Sequence, residues 1–235
     1  PNVLLLYMSF IISSVDLSSC HSLDNRSHIC TWIFLLIFLL IFKIIRRNAC
    51  RKIIEIGVYN GNHSLQMIQT ASISHPKKDI YFYGFDLFED LNEEMFKKES
   101  SKKPLPIDLI RHKLEETGAH IGLFKGNTKI TLPRYIKDIG EADFIFIDGG
   151  HSEETIKSDW NNVREIIGDK TIVMFDDYYI DKKSEMTGFG CNALVDNLDR
   201  QIYDVDILEP MDIFNKDWGT LKIKMVKVCK KKIGM

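Results

Sequence analysis

From residue 52 onward, short apolar runs alternate with amphipathic stretches. KIIEIGV (52–58), IYFYGFDL (80–87), DFIFID (143–148) and TIVMFD (171–176) are apolar at successive positions, and each ends in or near an acidic residue or a glycine. Strands buried on both faces have this pattern, as in a parallel sheet covered by helices. Ile121–Phe124 reads as a further short strand. Between the runs, Ile156, Trp160, Val163 and Ile167 recur at spacings of 4, 3 and 4 over 153–167, behind Ser152 as N-cap. Further helices are expected at 63–73, 107–117, 129–138 and 190–200. Two more strands, 202–208 and 220–228, flank the turn-rich segment Glu209–Gly219. In the second, Leu221, Ile223, Met225, Val226 and Val228 mostly alternate with Lys222, Lys224 and Lys227. The pattern therefore predicts an α/β domain over residues 51–235, with seven strands, mostly parallel, closed by an antiparallel hairpin.

Residues 1–50 follow another rule. Ile29–Phe42 (ICTWIFLLIFLLIF) carries no charge, and Ile44 and Ile45 continue it past Lys43. A spanning helix needs about 20 apolar residues, so residues 29–45 fall at the lower edge of that range. Arg46, Arg47, Arg51 and Lys52 follow at once, which by the positive-inside tendency would leave the C-terminal part in the cytoplasm. Three readings stay open: a transmembrane helix at 29–45, an apolar helix packed on the domain, and a non-native leader. A secretory signal fits less well, because the basic residues follow the apolar stretch.

Composition sharpens this division. The chain has 235 residues, 31 Lys+Arg against 33 Asp+Glu, and 45% hydrophobic residues, ample for a core. Only Asp16, Asp24, Arg26, Lys43, Arg46 and Arg47 are charged in the first fifty. A net charge of -2 excludes a general attraction to nucleic acid. Cys20, Cys30, Cys50, Cys191 and Cys229 show neither the spacing of a zinc site nor a disulfide framework, so free thiols are expected.

The chemistry collects at strand ends. Glu55-Ile56-Gly57-Val58-Tyr59-Asn60-Gly61-Asn62-His63-Ser64 places glycines between a strand and a helix, where backbone can approach a ligand. The spacing is GxxxG, which gives little support to a dinucleotide pyrophosphate site, and such turns also arise for purely structural reasons. Asp86, ending the next strand, can accept both hydroxyls of a ribose or simply cap a turn. Asp148-Gly149-Gly150-His151-Ser152 and Asp176-Asp177-Tyr178 end two more strands. Three carboxylates converging there would repel one another unless protons or a cation such as Mg²⁺ compensated. Asp177 capping a turn and Asp148 bonding backbone amides is the alternative.

Taken together, Glu55–Ser64, Asp86, FIFIDGGHSEETIKSDW (144–160) and IVMFDDYY (172–179) resemble the class I S-adenosylmethionine-dependent methyltransferases. The likeness is closest to the small macrocin-like and catechol-like O-methyltransferases, and it covers roughly residues 50–228. The resemblance implies a doubly wound, Rossmann-like sheet. It implies that Glu55, Gly57, Tyr59, Gly61 and Ser64 lie at the methionine end of S-adenosylmethionine, with Asp86 at the ribose. Gly126, Asn127 and Thr128 would lie near the adenine. Asp148, Asp176 and Asp177 would hold Mg²⁺, and Asp148 would also border the cofactor. Catechol-type members carry a lysine base three residues beyond the first metal Asp, where this chain has His151. Macrocin-type members carry an acidic residue two beyond, where this chain has Gly150. His151 is the candidate base, with Asp148 beside it in catalysis, because imidazole can take a hydroxyl proton near neutrality.

The expected partner is a small-molecule or sugar hydroxyl acceptor, with membrane association through 29–45 and homodimer formation both open. Rivals are a metal-independent methyltransferase and an inactive cofactor-binding module at a membrane. His63, His75, His112 and His120 read as surface or capping residues. Lys97–Pro106 reads as a mobile loop with solvated lysines, and residues 178–190 as a substrate lid or an ordinary surface loop.

Overall fold

A computed structural model describes residues 39–99, 102–182, 184–216 and 219–232. Its strands are β1 (Lys52–Ile56), β2 (Tyr81–Asp86), β3 (His120–Lys125), β4 (Phe144–Ile147), β5 (Ile172–Ile180), β6 (Tyr203–Ile207), β7 (Asp212–Lys216) and β8 (Gly219–Lys230). They form one sheet in the order β3-β2-β1-β4-β5-β8-β6, and β7 pairs with β8. The first five strands are parallel, while β8 runs antiparallel to β5, β6 and β7. The expected path of seven strands and its antiparallel close are present. An eighth strand, β7, occupies part of the segment expected to be only a turn.

Alternation explains the continuous apolar runs. Ile53, Phe144, Phe146, Ile172 and Met174 point into one core layer, and Ile54, Ile145, Ile147, Val173 and Phe175 into the other. Successive side chains of a strand face opposite sides, so a sheet covered on both faces needs apolar residues at every position. The helices supply the covers. The first, α1, is helical over residues 39–47. It is followed by α2 (Asn62–Ala71), α3 (Glu93–Glu99), α4 (Ile107–Glu115), α5 (Thr128–Ile139), α6 (Glu153–Val163) and α7 (Asn192–Asp196). Helices α1, α2 and α4 pack on the first layer, and α5, α6 and α7 on the second. Ser152 caps α6 as expected, its Oγ accepting from Thr155 N at 3.2 Å.

Of the three readings left open for the apolar leader, the described part agrees with the packed helix. Ile41, Phe42 and Ile45 are buried in the same core layer as β1, with Ile45 0% exposed. The last part of the 29–45 segment is thus a packed helix, and the folded unit begins before residue 51. Residues 29–38, Cys20 and Cys30 lie outside the described residues. Among the described residues, no helix is long and apolar enough to cross a membrane. Cys50, Cys191 and Cys229 are free thiols.

Two loop expectations change as well. Lys97–Glu99 continue α3, and β5 runs on to Ile180, so residues 178–180 belong to the sheet.

Candidate active site

Register brings the strand-end residues together. Ile56 pairs with Phe85 on one side and Ile147 on the other, and Ile147 pairs with Phe175. The next residue in each of these four neighbouring strands is Asp86, Gly57, Asp148 and Asp176. They form one row along the carboxyl edge of the sheet, where open α/β folds bind ligands. A cleft of about 610 Å³ opens over this row, within the size range of small-molecule sites.

Gly57 makes the row compact. Its φ is +94°, and a Cβ there would lie 1.9 Å from the Asp148 carbonyl oxygen. Only a residue without a side chain lets β1 and β4 end this close together. Asp86 then fixes the following loop: its Oδ2 accepts from Val58 N at 2.7 Å and Tyr59 N at 2.8 Å, and Phe88 N reaches Oδ1 at 3.3 Å. One oxygen of the expected ribose ligand is thus committed to the loop. Asn127 caps α5 by accepting from Lys129 N at 3.0 Å. Gly57, Tyr59, Asp86, Asn127, Thr128 and Asp148 all line the cleft.

Four expected cofactor residues stand behind this wall. Glu55 is 1% exposed and accepts a hydrogen bond from Ser64 Oγ, and Ser64 is buried too. Burial raises the Glu55 carboxyl to about 8, opposed by the Ser64 bond and reinforced by Asp86. Gly61, at φ +70°, begins α2 and faces Ile110 of α4. Gly126, at φ +129°, donates its N–H to the Asp86 carbonyl. These four shape the wall without lining the cleft.

At the centre, a bulge re-aims the acidic pair. Phe175 pairs with Val226 but Tyr178 with Lys224, so β5 carries one extra residue there. Asp177 takes up the irregularity at φ +61° and is 9% exposed. Its Oδ2 lies 3.4 Å from His151 Nε2, and its Oδ1 accepts from Tyr179 Oη at 3.2 Å. Asp148, His151 and Asp177 each offer a donor atom within 4.8 Å of the others. Asp176 is not one of that trio, although its carboxyl interacts with that of Asp148. Burial raises the Asp148 carboxyl well above its ordinary range, helped by repulsion from Asp176 and Asp177. Burial and Asp177 raise Asp176 to about 8.

Several cleft residues carried no legible signal in the sequence. Glu99 of α3 closes over the DGGHS turn: its Oε1 accepts from Ser152 Oγ at 2.9 Å, and its carbonyl from His151 N at 3.0 Å. Lys102 sits over the Tyr59 ring at 5.3 Å. His63, expected at the surface or as a cap, lines the cleft, and burial followed by Lys102 lowers its pKa to about 4. Tyr179, Met186 and Asp212 line the far end. Only proximity in three dimensions joins these residues to the strand-end motifs.

The family described as "Methyltransferase domain" matches residues 54–178, from β1 through the acidic pair on β5. Among curated proteins, none matches this chain in sequence. Solved structures share its architecture. A Klebsiella pneumoniae protein assigned as an O-methyltransferase has a TM-score of 0.58 at 12% identity, covering 91% of this chain and 84% of that one. The S-adenosylhomocysteine-bound Podospora anserina methyltransferase PaMTH1 gives 0.53 at 15%, covering 96% of each chain. The O-methyltransferase TomG of Streptomyces achromogenes, in complex with S-adenosylmethionine, gives 0.52 at 12%, covering 91% of this chain and 93% of that one. Likeness at such identity speaks for the fold.

Proposed function

The chain belongs to the methyltransferase-domain family, as a class I S-adenosylmethionine-dependent enzyme, and on that premise we propose that it methylates a hydroxyl oxygen of a small-molecule acceptor. The observation that carries this reading is the continuity of the cleft. Its wall of Gly57, Tyr59, Asp86 and Asn127 runs directly into Asp148, His151 and Asp177.

In the proposed reaction the acceptor oxygen forms a bond to the sulfonium methyl carbon, while the sulfur–methyl bond breaks and returns its electrons to sulfur. The hydroxyl proton must leave. Asp177 facing Nε2 of His151 favours the tautomer protonated there, which leaves the lone pair on Nδ1 to receive that proton. Asp177 would then stabilise the imidazolium, and Tyr179 holds the other Asp177 oxygen in place. Loop backbone fixed by Asp86 would orient the cofactor, an arrangement that speeds transfer by holding the reacting atoms in line. No covalent enzyme intermediate is required.

The residues also fit a divalent cation. Burial, and after it mutual repulsion, raises Asp148 and Asp176, and a cation held by Asp148 and Asp177 would relieve the repulsive part. Such an ion, when bound, would lower the pKa of the acceptor hydroxyl. The imidazole of His151 makes the donor set mixed, which suits Mn²⁺ or Fe²⁺ at least as well as the Mg²⁺ suggested by carboxylates alone. The His151–Asp177 contact favours the metal-independent rival equally.

Calorimetry with S-adenosylhomocysteine, followed by turnover of phenol and sugar panels with and without EDTA, tests the reading. Absence of cofactor binding would sink it, and turnover indifferent to EDTA would leave His151 as base without a metal. His151→Ala is expected to lower turnover by roughly 10²–10⁴-fold while cofactor affinity is kept.

A further inference from the structure

Beyond the acidic centre the cleft continues onto strands that the family match does not reach. Tyr179 of β5 pairs with Ile223 of β8, and Ile223 pairs with Asp212 of β7, so the three stand in one row across the sheet. Leu221 and Phe214, two residues along their strands and paired with each other, share that face. All five line the cleft, together with Met186. The result is an apolar floor with one carboxylate set into it.

Asp212 is anomalous there. It is 6% exposed, its Oδ1 has no hydrogen-bond partner, and no ion pair reaches it among the described residues. A buried carboxylate oxygen left without a partner is costly, which is why such groups normally meet a cation or several donors. The acidic centre adjoins this end, since repulsion from Asp212 contributes, after burial and Asp177, to the raised Asp176 carboxyl. The lysines that line the cleft, Lys98, Lys102 and Lys129, come from α3, the chain just after it and α5; Lys102 acts on Asp148, and none of the three acts on Asp212. This end is therefore an apolar surface holding one carboxylate that no cation compensates among the described residues, a combination that favours a cation on an apolar body and disfavours an anion.

We propose that Asp212 is a specificity-determining residue, and that the acceptor is an apolar, ring-sized molecule carrying a protonated amine in addition to the hydroxyl that is methylated. The ammonium pairs with Asp212 while Tyr179, Met186, Phe214, Leu221 and Ile223 enclose the body. This inference rests on the proposed methyl transfer to a hydroxyl and names the acceptor class for it.

Three matched phenols test it by calorimetry on the full chain saturated with S-adenosylhomocysteine: 4-(2-aminoethyl)phenol, 4-ethylphenol and 4-hydroxyphenylacetate. The ammonium probe is expected to bind about tenfold or more tightly than the ethyl probe, and the carboxylate probe most weakly. Asp212→Asn is expected to bring the ammonium probe down to the affinity of the neutral one. Equal binding of the ammonium and ethyl probes to the wild type overturns the proposal whether or not the variant folds. So does a preference that survives the substitution. If S-adenosylhomocysteine binds but no phenol does, the acceptor class is wrong and the methyltransferase reading stands. If S-adenosylhomocysteine does not bind either, the underlying reading falls and the inference with it.

Discussion

Gly57 carries the tightest constraint of any single residue at the site. An added methyl would overlap the Asp148 carbonyl and would also sit at a φ that L-residues rarely adopt. The backbone conformation alone costs about 1–3 kcal/mol, and the overlap adds to it. Gly57→Ala is expected to destabilise the chain by about 3 kcal/mol or more, or roughly 6–12 °C in Tm, and to abolish S-adenosylhomocysteine binding. An unchanged melting curve would mean that β1 and β4 do not approach as described. Asp86 holds the loop on both sides of itself along the chain. Its Oδ2 accepts from Val58 N and Tyr59 N, and its Oδ1 from Phe88 N. The sequence made Asp86 legible because it ends a strand. The division of its oxygens was not legible, since it depends on where a loop 27 or 28 residues earlier comes to rest.

At the scale of elements, α1 and β7 matter most, because periodicity alone left the first undecided and missed the second. The segment containing α1 is apolar on all sides, a pattern shared by lipid-facing and core-buried helices. Ile41 and Ile45 lie four apart on one face and meet β1 and α2 residues in the same core layer. Ile45→Ala is therefore expected to cost about 2–5 kcal/mol, read as a lower Tm of the full chain. A helix held only by lipid would leave the Tm of the domain unmoved. Strand β7 was hidden by its polar residues (Asp212, Asn215 and Lys216) and by the turn signals around Pro210 and Gly219. Pairing with the first half of β8 overrides that local preference. The bulge in β5 escaped notice for a similar reason: an extra residue is defined only by the partner strand's register.

Across the whole molecule, several buried carboxyl groups keep their protons to a higher pH than they would in the unfolded chain. Burial raises Glu55 and Asp176 to about 8, Asp159 to about 7 and Asp212 to about 6. Each therefore holds its proton in the folded state at a pH where the unfolded chain has lost it. Their contribution to stability is fully present below the ordinary carboxylate range and is lost as pH rises towards 8, because folding then requires proton uptake. The ligand-free protein is expected to melt at progressively lower temperature between pH 5 and pH 8 (a window set by these shifts). Glu55→Gln keeps an acceptor for Ser64 and removes one titrating group, so its Tm should match the wild type near pH 5 and exceed it by a few degrees at pH 8. A wild-type Tm that rises across this range would contradict the assignment. A cation or an acceptor amine that neutralises Asp176 or Asp212 should flatten the same slope.

The sequence by itself determined the fold class, the parallel strands and the row of strand-end residues. Those features follow from local periodicity and from the rule that parallel strands deliver their carboxyl ends to one edge. It also determined the family likeness, which rests on contiguous motifs. Tertiary structure decided which of those residues meet. It placed Glu55 and Ser64 behind the wall, left Asp176 out of the trio of Asp148, His151 and Asp177, and brought Glu99, His63 and Asp212 to the cleft. These outcomes depend on register, a bulge and helix packing, all of which involve residues distant in the chain. Spacing along a sequence constrains one strand's end, whereas an active site is a relation among several strands at once.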